Sequence, residues 1–297
     1  MKLNNLITIT IPTRYGTDQL VLTAKSIYES AGAIKINFMI VADSNPLSKK
    51  VKNSLINLGV KVTENKELGS QYKKVNQMIR QVTTEYVITT QDDVIFHEDA
   101  IKEIIKVIRL NPRATLILPR VLSAKSKTIF QKVLERGVNI IYNTALKWND
   151  GDNYLLANGR CMIFKTSFLK KIRIPSNVVN GDAYRYFANK LANGSIVHAS
   201  KAIIYNKNPL YFKEQLNQYQ RFQYSRTEIE HIIGKDLGNE YKIPKLAFLS
   251  SVKQEFIKHP ILTILYLLLG VLERLLPVNK NIVSQTSWAI AKSTKIN

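Results

Sequence analysis

Apolar runs of β-branched and aliphatic residues alternate with stretches of helical spacing over the first two-thirds of the chain. The apolar runs lie at residues 6–11, 37–42, 60–63, 86–90, 115–118, 161–164 and 196–204, and the helical stretches at 19–30, 47–58, 71–82 and 100–110. This alternation is typical of βα units around a mostly parallel sheet. We therefore predict an α/β fold whose ligands bind at the carboxyl ends of the strands.

The pattern changes after about residue 208. Residues 211–233 predict a polar, aromatic-rich helix, and a segment rich in Gly, Asn and Pro follows at 234–244. A strongly apolar helix is predicted at about 260–276, but its uncharged part, residues 261–272, is only 12 residues long. Because a bilayer span needs about 20 apolar residues, we expect an interfacial or re-entrant amphipathic helix. A buried helix packed on the rest of the protein is the alternative.

The chain of 297 residues is strongly basic. It contains 43 Lys and Arg residues against 22 Asp and Glu residues, a formal net charge of +21. This charge favours nucleic acid, a phosphorylated substrate or an anionic membrane as partner, and the apolar helix is flanked by Lys253, Lys258, Arg274 and Lys280. A lysine-rich solvated surface is the alternative. The single cysteine, Cys161, allows no internal disulfide and the N-terminal residues show no export signal, so we expect a reducing, cytoplasmic compartment.

Polar residues follow three of the predicted strands, as Pro12-Thr13-Arg14, Asp43-Ser44-Asn45 and Gln91-Asp92-Asp93. Two adjacent carboxylates at the end of a rigid strand favour a bound cation, and Mg²⁺ or Mn²⁺ would suit a diphosphate substrate. The alternative is that the acidic pair caps the helix that follows. The sequence has no glycine-rich loop of the dinucleotide-binding or P-loop type at a strand-to-helix junction.

In their order and spacing these motifs resemble glycosyltransferase family 2, whose members have the GT-A fold, a Rossmann-like three-layer α/β/α arrangement. The resemblance is carried by Ile11-Pro12-Thr13, by Val41-Ala42-Asp43, by the stretch from Asn65 through Gly69 to Asn76, and by Gln91-Asp92-Asp93 at the place of the Asp-x-Asp motif. It implies that Asp93 ligates a divalent metal, Mg²⁺ or Mn²⁺, and that Asp92 reaches either the ribose or this metal. It also implies a set of residues that bind the nucleotide-sugar donor: Pro12, Thr13, Asp43, Asn76 and Asp92.

The resemblance extends to an acceptor half of the domain. The segment that begins with Asn158-Gly159-Arg160 is similar to the start of this half, and Asn180-Gly181-Asp182 stands at the family's Glu-Asp motif. The resemblance gives Asp182 the role of general base, which takes the proton of the attacking hydroxyl in an inverting transfer. Gly181 replaces the usual Glu, and Gln91 replaces the first acid of the Asp-x-Asp motif. The alternative role of Asp182 is the N-cap of a helix at 183–191.

Gln218, Arg221 and Phe222 form a Gln-x-x-Arg-aromatic sequence in the predicted helix at 211–233. It is similar to the Gln-x-x-Arg-Trp motif of processive family members, which implies contact with the diphosphate or the acceptor. A solvated face of an amphipathic helix is the alternative. His198, within a short predicted strand, is interpreted as a hydrogen-bonded core residue rather than as a metal ligand.

The preferred hypothesis is an inverting, metal-assisted glycosyltransferase at the inner face of the cell membrane. It would transfer a sugar from a nucleotide-diphosphate sugar, preferably a UDP-sugar, to a lipid-linked or cell-surface glycan, with no nucleic acid as partner. Residues 1–208 would form the catalytic domain, with a donor half at about 1–95 and an acceptor half at about 96–208, and residues 209–297 a helical region. Two alternatives stay open: a GT-A-like assembly protein without catalysis, suggested by Gln91 and Gly181, and a basic nucleic-acid-binding protein.

Overall fold

A computed structural model describes residues 6–43, 47–278 and 291–295 of the chain. Ser44, Asn45 and Lys280 of the sequence analysis lie outside these residues. The described residues form one eight-stranded sheet in the order β3-β2-β1-β4-β7-β6-β8-β5, and four of its seven neighbouring pairs are parallel. The strands are β1 Ile7–Thr13, β2 Asn37–Asp43, β3 Lys61–Asn65, β4 Tyr86–Thr90, β5 Val94–Phe96, β6 Leu116–Ser123, β7 Cys161–Lys165 and β8 Ile196–Asn206.

Helices cover both faces of the sheet, which confirms the predicted α/β/α layers. They are α1 Asp18–Ala31, α2 Lys49–Asn57, α3 Gln71–Gln81, α4 Ala100–Leu110, α5 Ile129–Leu146, α6 Thr166–Leu169, α7 Gly181–Leu191, α8 Phe212–Ile233, α9 Lys245–Lys258, α10 Pro260–Leu275 and α11 Lys292–Lys295. The break predicted after α8 is confirmed, because α8 ends at Gly234, whose left-handed conformation (φ of 69°) suits a glycine.

Strand β1 shows how the sequence produces the two apolar layers. Its isoleucines Ile7, Ile9 and Ile11 are fully buried in the layer that includes α1 and α4. The threonines between them point to the opposite face, since side chains alternate along a strand. There Thr8 hydrogen-bonds with Thr84 at 2.7 Å and Thr10 donates to the carbonyl of Ile88 at 3.1 Å, so these buried hydroxyls are paired.

Among the elements that the sequence analysis did not place are β5, α5 and α9. Strand β5 begins at Val94, directly after Asp93, and pairs antiparallel with β8. Strand β7 runs antiparallel between β4 and β6, so the sheet is mixed in its second half. The reversal brings the turn before β7, at residues 158–160, close to the carboxyl end of β4, because Thr90 donates to the carbonyl of Arg160 at 2.6 Å.

Helices α9 and α10 form a hairpin that packs on α5. The ring of Tyr266 on α10 fills the space that a side chain at Gly137 of α5 would need, so the two helices approach closely. Arg136 of α5 forms a buried ion pair with Glu255 of α9 at 3.3 Å. Within the described parts of the chain, every helix is too short or too polar to cross a bilayer.

Candidate active site

A cavity opens at the carboxyl ends of β1 and β4, where the sequence predicts ligand binding. Helix α8 and the short helix α11 form its other side. Most of the predicted site residues line this cavity, together with several cationic and amide side chains. Its walls include Pro12, Thr13, Arg14, Lys74, Gln91, Asp92, Asp93, Asn158, Arg160, Asn180, Asp182, Asn217, Gln218, Arg221, Phe222 and Thr294.

Asp43 is held at the end of β2 by two donors. Its Oδ2 accepts from Lys74 Nζ at 2.6 Å and from the backbone N–H of Gly69 at 2.7 Å. The other oxygen, Oδ1, is buried and accepts no hydrogen bond from any described residue. A buried acceptor without a partner is costly, so this atom suits an N–H donor of a ligand such as a nucleobase. Burial lowers the pKa of Lys74, although the contact with Asp43 favours its charged form.

Asp92 lies beside the carboxyl end of β1, two residues before β5 begins. Thr13 donates to Asp92 Oδ2 at 2.5 Å, and this bond connects the ends of β1 and β4. Thr23 of α1 donates to the backbone carbonyl of Asp92 at 3.2 Å and to that of Val94 at 2.7 Å. The predicted donor-binding residues Pro12, Thr13 and Asp92 are therefore adjacent and rigidly positioned.

Asp93 faces a guanidinium. Arg160 Nη1 donates to Asp93 Oδ1 at 3.0 Å and to Gln91 Oε1 at 2.8 Å. The other carboxylate oxygen, Oδ2, accepts from Thr294 Oγ1 at 3.0 Å. Helix α11 is fixed at this position by Ser293, whose hydroxyl and backbone N–H both donate to Glu214 of α8.

These residues do not form a ready ligand set for Mg²⁺ or Mn²⁺. At phosphate-binding sites Mg²⁺ is held by one or two carboxylates together with waters and the oxygens of the substrate phosphates. The described residues contain no group of three or more His, Cys, Asp or Glu side chains that could hold a metal ion. At Asp93 a positive charge is already in contact with the carboxylate. The Asp93 ligand predicted from the resemblance therefore stays a prediction, with Arg160 as a competing cation.

Asp182 lies across the cavity, in the first turn of α7. Its Oδ1 accepts from Tyr72 Oη and from Arg185 Nη2, both at 2.9 Å, whereas its Oδ2 accepts no hydrogen bond among the described residues. Burial, and then the charge of Asp182, raise the pKa of Tyr72 well above 10, so its hydroxyl keeps its proton and donates. Arg185 is itself fully buried, and its Nη1 donates to Thr89 at 2.5 Å. Asp182 is thus positioned through one oxygen and open at the other.

The glycines next to Asp182 have a steric reason. A Cβ at Gly181 would overlap the ring of Tyr72, and a Cβ at Gly159 would overlap the Asp182 carboxylate. The predicted N-cap role of Asp182 is wrong, because Asn180 caps α7 by accepting from the backbone N–H of Ala183 at 3.2 Å. The carboxylate is consequently available for another role.

Helix α8 places the Gln-x-x-Arg-aromatic residues on the cavity. Gln218, Arg221 and Phe222 all line it, and Arg221 is only 8% exposed, so a solvated helix face does not describe this segment. Arg221 Nη2 donates to the carbonyl of Val179 at 3.3 Å, beside the turn that begins α7. Phe222 is mostly exposed at the opening.

Three candidate residues lie away from the cavity lining: Asp43, described above, Asn76 and His198. Asn76 of α3 donates to the carbonyl of Ile174 at 2.7 Å, which gives it a packing role in this structure. His198 is half-buried and hydrogen-bonded: Nδ1 donates to the carbonyl of Leu118 at 2.8 Å and Nε2 lies 3.0 Å from Tyr142 Oη. Burial lowers the pKa of His198, which favours its neutral form.

Tyr72, Lys74, Arg160 and Arg185 are the site residues that sequence reasoning did not single out. Tyr72 and Lys74 occupy positions in α3 that the spacing predicts to be helical and buried, where a tyrosine hydroxyl and a lysine are the unexpected residue types. Their partners are 110 and 31 residues away in the sequence. Arg160 lies in the segment that resembles the start of the acceptor half, but sequence reasoning assigned it no role of its own, and Arg185 carried no signal of its own.

Comparisons with known proteins identify the family and the fold of the chain. Residues 10–173, more than half of the chain, match the family model described as Glycosyl transferase family 2. The mannosyltransferase PcManGT from Pyrobaculum calidifontis, solved with GDP-Man and Mn²⁺, is similar at 12% identity and a TM-score of 0.57, over 98% of this chain and 86% of that chain. A comparison with curated proteins finds no match.

Two further solved structures share the fold. Glucosyl-3-phosphoglycerate synthase from Mycobacterium tuberculosis, in complex with Mn²⁺, UDP and phosphoglyceric acid, has 10% identity and a TM-score of 0.53, over 77% of this chain and 79% of that chain. S. aureus TarS, residues 1–349, has 17% identity and a TM-score of 0.51, over 73% of this chain and 64% of that chain. At such identities the likeness concerns the fold alone.

Proposed function

The chain belongs to glycosyl transferase family 2 and is a glycosyltransferase, and from this premise we propose that it transfers a sugar from a nucleotide-diphosphate sugar, preferably a UDP-sugar, to an acceptor hydroxyl with inversion. The observation that supports this most is the position of Asp182. Its carboxylate lies on the same cavity as Asp92 and Asp93, with one oxygen fixed and the other open. Bound nucleotides in PcManGT and in the mycobacterial synthase support the donor class.

In this mechanism the residues at and behind the cavity lining have separate roles. Asp43 Oδ1 accepts an N–H of the base, and Asp92 with Thr13 lies at the ribose. The acceptor hydroxyl loses its proton to Asp182 Oδ2 while its oxygen forms a bond with the anomeric carbon. The bond from that carbon to the diphosphate oxygen breaks on the opposite side, and Arg221 stabilises the departing charge. No step passes through a divalent ion, because the Arg160 guanidinium already contacts Asp93.

Substitution of the base tests the assignment. Asp182→Asn should retain nucleotide binding in calorimetric titrations with UDP and GDP, and should lower turnover by about 10²- to 10⁴-fold, the usual contribution of a general base. Asp152→Asn is a matched control, because Asp152 also accepts from a tyrosine hydroxyl, that of Tyr186 at 2.8 Å, outside the cavity lining. Full turnover by Asp182→Asn would refute the role of Asp182. Nucleotide binding without turnover by the native protein would favour the non-catalytic alternative.

The hairpin of α9 and α10 supports a second part of the proposal, peripheral attachment to an anionic membrane. Its polarity is inverted relative to an ordinary surface helix, since polar side chains face the protein and large apolar side chains face outward. The buried polar residues are Ser251, Glu255, Thr263 and Glu273. The exposed apolar residues include Leu246, Leu249, Ile257, Ile261, Leu268, Val271 and Leu275.

The charges on this hairpin have the sign that an anionic leaflet requires. Both acidic side chains, Glu255 and Glu273, are buried and bonded, to Arg136 and Gln215 respectively. The exposed charged side chains of the two helices are all cationic: Lys245, Lys253, Lys258 and Arg274. An apolar face with a basic rim suits the interface of an anionic bilayer, and each basic residue there is worth about 1 kcal/mol.

This attachment supports the remaining parts of the proposal. An enzyme held at the cytoplasmic face of the membrane meets acceptors that are anchored in lipid, which is why we propose a lipid-linked or cell-surface glycan as acceptor. Residues 1–208 would carry the chemistry, and residues 209–297 would provide both the α8 wall of the cavity and the membrane face. A nucleic-acid-binding role leaves three carboxylates on one cavity, Asp92, Asp93 and Asp182, without a purpose.

A further inference from the structure

Arg160 is a fixed cation at the place where the family resemblance implies a metal. It follows the turn at Gly159, and its backbone is anchored on both sides, since its N–H donates to Asn158 Oδ1 at 3.0 Å and its carbonyl accepts from Thr90 at 2.6 Å. Its side chain is 17% exposed and lines the cavity. The guanidinium therefore reaches the cavity from a rigid turn rather than from a mobile loop.

The hydrogen bonds of Arg160 leave part of the guanidinium open. Nη1 has two hydrogens, and these go to Asp93 and Gln91. Among the described residues Nε and Nη2 make no hydrogen bond, so three N–H groups of the planar fork have no protein acceptor there. A fork of this kind matches the oxygens of a phosphate, which it binds in a bidentate manner.

The neighbouring residues fit an arginine better than a metal ion. Gln91 stands where the resemblance expects an acid, and its amide oxygen accepts from Arg160 without adding charge. Asp93 then neutralises the guanidinium, and its second oxygen is taken by Thr294. A divalent ion would have to compete with Arg160 and Thr294 for Asp93, and it would find one carboxylate fewer than the family motif supplies.

We propose that Arg160 provides the positive charge that a divalent ion would otherwise provide, so that the diphosphate of the donor binds between Arg160 and Arg221 without Mg²⁺ or Mn²⁺. This inference rests on the proposed sugar transfer. Arg160 and Arg221 both line the cavity, so two guanidinium groups can donate hydrogen bonds to the phosphate oxygens. The covalent step is unchanged, because Arg160 binds the leaving diphosphate only through hydrogen bonds and charge.

Calorimetric titration of the full chain with UDP and GDP, in EDTA and in Mn²⁺, tests this inference. The native protein should bind one of the two nucleotides with the same Kd, within about twofold, in both buffers. Arg160→Ala and Arg160→Gln should weaken binding in EDTA by about 10- to 100-fold, the effect of losing a charged hydrogen bond. The exposed Arg113→Ala is the control, and thermal unfolding checks that each variant is folded.

A second variant sharpens the test. Arg160→Ala combined with Gln91→Asp removes the cation and restores the missing acid, and its nucleotide affinity should become dependent on Mn²⁺. Native binding that disappears in EDTA and returns with Mn²⁺ would overturn the inference and leave the proposed function intact. Unaltered binding by both single variants would also overturn it. Failure of the native protein to bind either nucleotide in either buffer would overturn both proposals.

Discussion

The membrane face of α9 and α10 can be tested by two substitutions that leave the rest of the protein untouched. Leu268 and Leu275 are 59% and 78% exposed, so replacing both with glutamine should not alter the folded core. If the hairpin lies in a bilayer interface, however, both side chains leave water when the protein binds. The double variant then loses the apolar part of the binding free energy and keeps the basic residues.

The size of the loss follows from the exposed area. Burying a whole leucine side chain is worth about 1.5 to 3 kcal/mol. Scaled by the exposed fractions of the two side chains, their transfer contributes about 2 to 4 kcal/mol, which corresponds to ~30- to ~1,000-fold in the partition coefficient. The polar amides of the two glutamines add a further penalty.

Co-sedimentation with vesicles measures this effect. Vesicles of phosphatidylcholine and phosphatidylglycerol should bind the native protein, vesicles of phosphatidylcholine alone should bind it more weakly, and the double variant should stay in the supernatant. Leu110→Gln with Ile129→Gln is the matched control, because these side chains are 71% and 70% exposed on α4 and α5, outside the hairpin. Equal binding by the native protein and the Leu268→Gln, Leu275→Gln variant would refute the membrane face.

Two other predictions concern the cavity. Gly159→Ala should lower turnover at least tenfold with little loss of nucleotide binding, because its Cβ would displace the Asp182 carboxylate. Gly270→Ala, with open space around it, should leave turnover unchanged. Equal turnover by the two variants would contradict the position of Asp182. Lys74→Met should lower the free energy of unfolding by about 3 to 5 kcal/mol, because it leaves the buried Asp43 carboxylate without its cationic partner. Urea denaturation measures this. Lys102→Met, which breaks an exposed pair with Asp99, should cost at most about 1 kcal/mol, and an equal effect of the two lysine substitutions would contradict the burial argument.

The sequence predicts the sheet well because its strands are short runs of β-branched residues between polar turns. Strand β5 escapes prediction because it has only three residues and directly follows the acidic pair. Helix α5 escapes because several of its inward positions are polar, among them Gln131, Arg136 and Thr144, which interrupts the apolar period. Helix α9 escapes for the opposite reason, since its leucines point outward and Ser251 and Glu255 point inward.

The candidate site was predictable only as far as local sequence decides it. Acidic residues at the ends of β2 and β4 meet at one edge because parallel strands end there, and Asp43, Asp92 and Asp93 follow from topology alone. The partners that fix these acids come from distant segments: Arg160 lies 67 residues from Asp93 in the sequence. Asn76 shows the limit of motif spacing, because its helix turns the amide towards Ile174.

The two departures from the family pattern, Gly181 and Gln91, first suggested a protein without catalysis. Both positions have a specific steric or electrostatic use. Gly181 leaves room for the Tyr72 ring, whose hydroxyl holds the Asp182 carboxylate, and Gln91 accepts a hydrogen bond from Arg160 without adding a charge that would compete with Asp93. A protein that had lost catalysis would have no need to keep the remaining carboxylates positioned by buried, paired donors. We therefore infer that at Gly181 and at Gln91 one positioning group has been replaced by another, and that the protein is catalytically active.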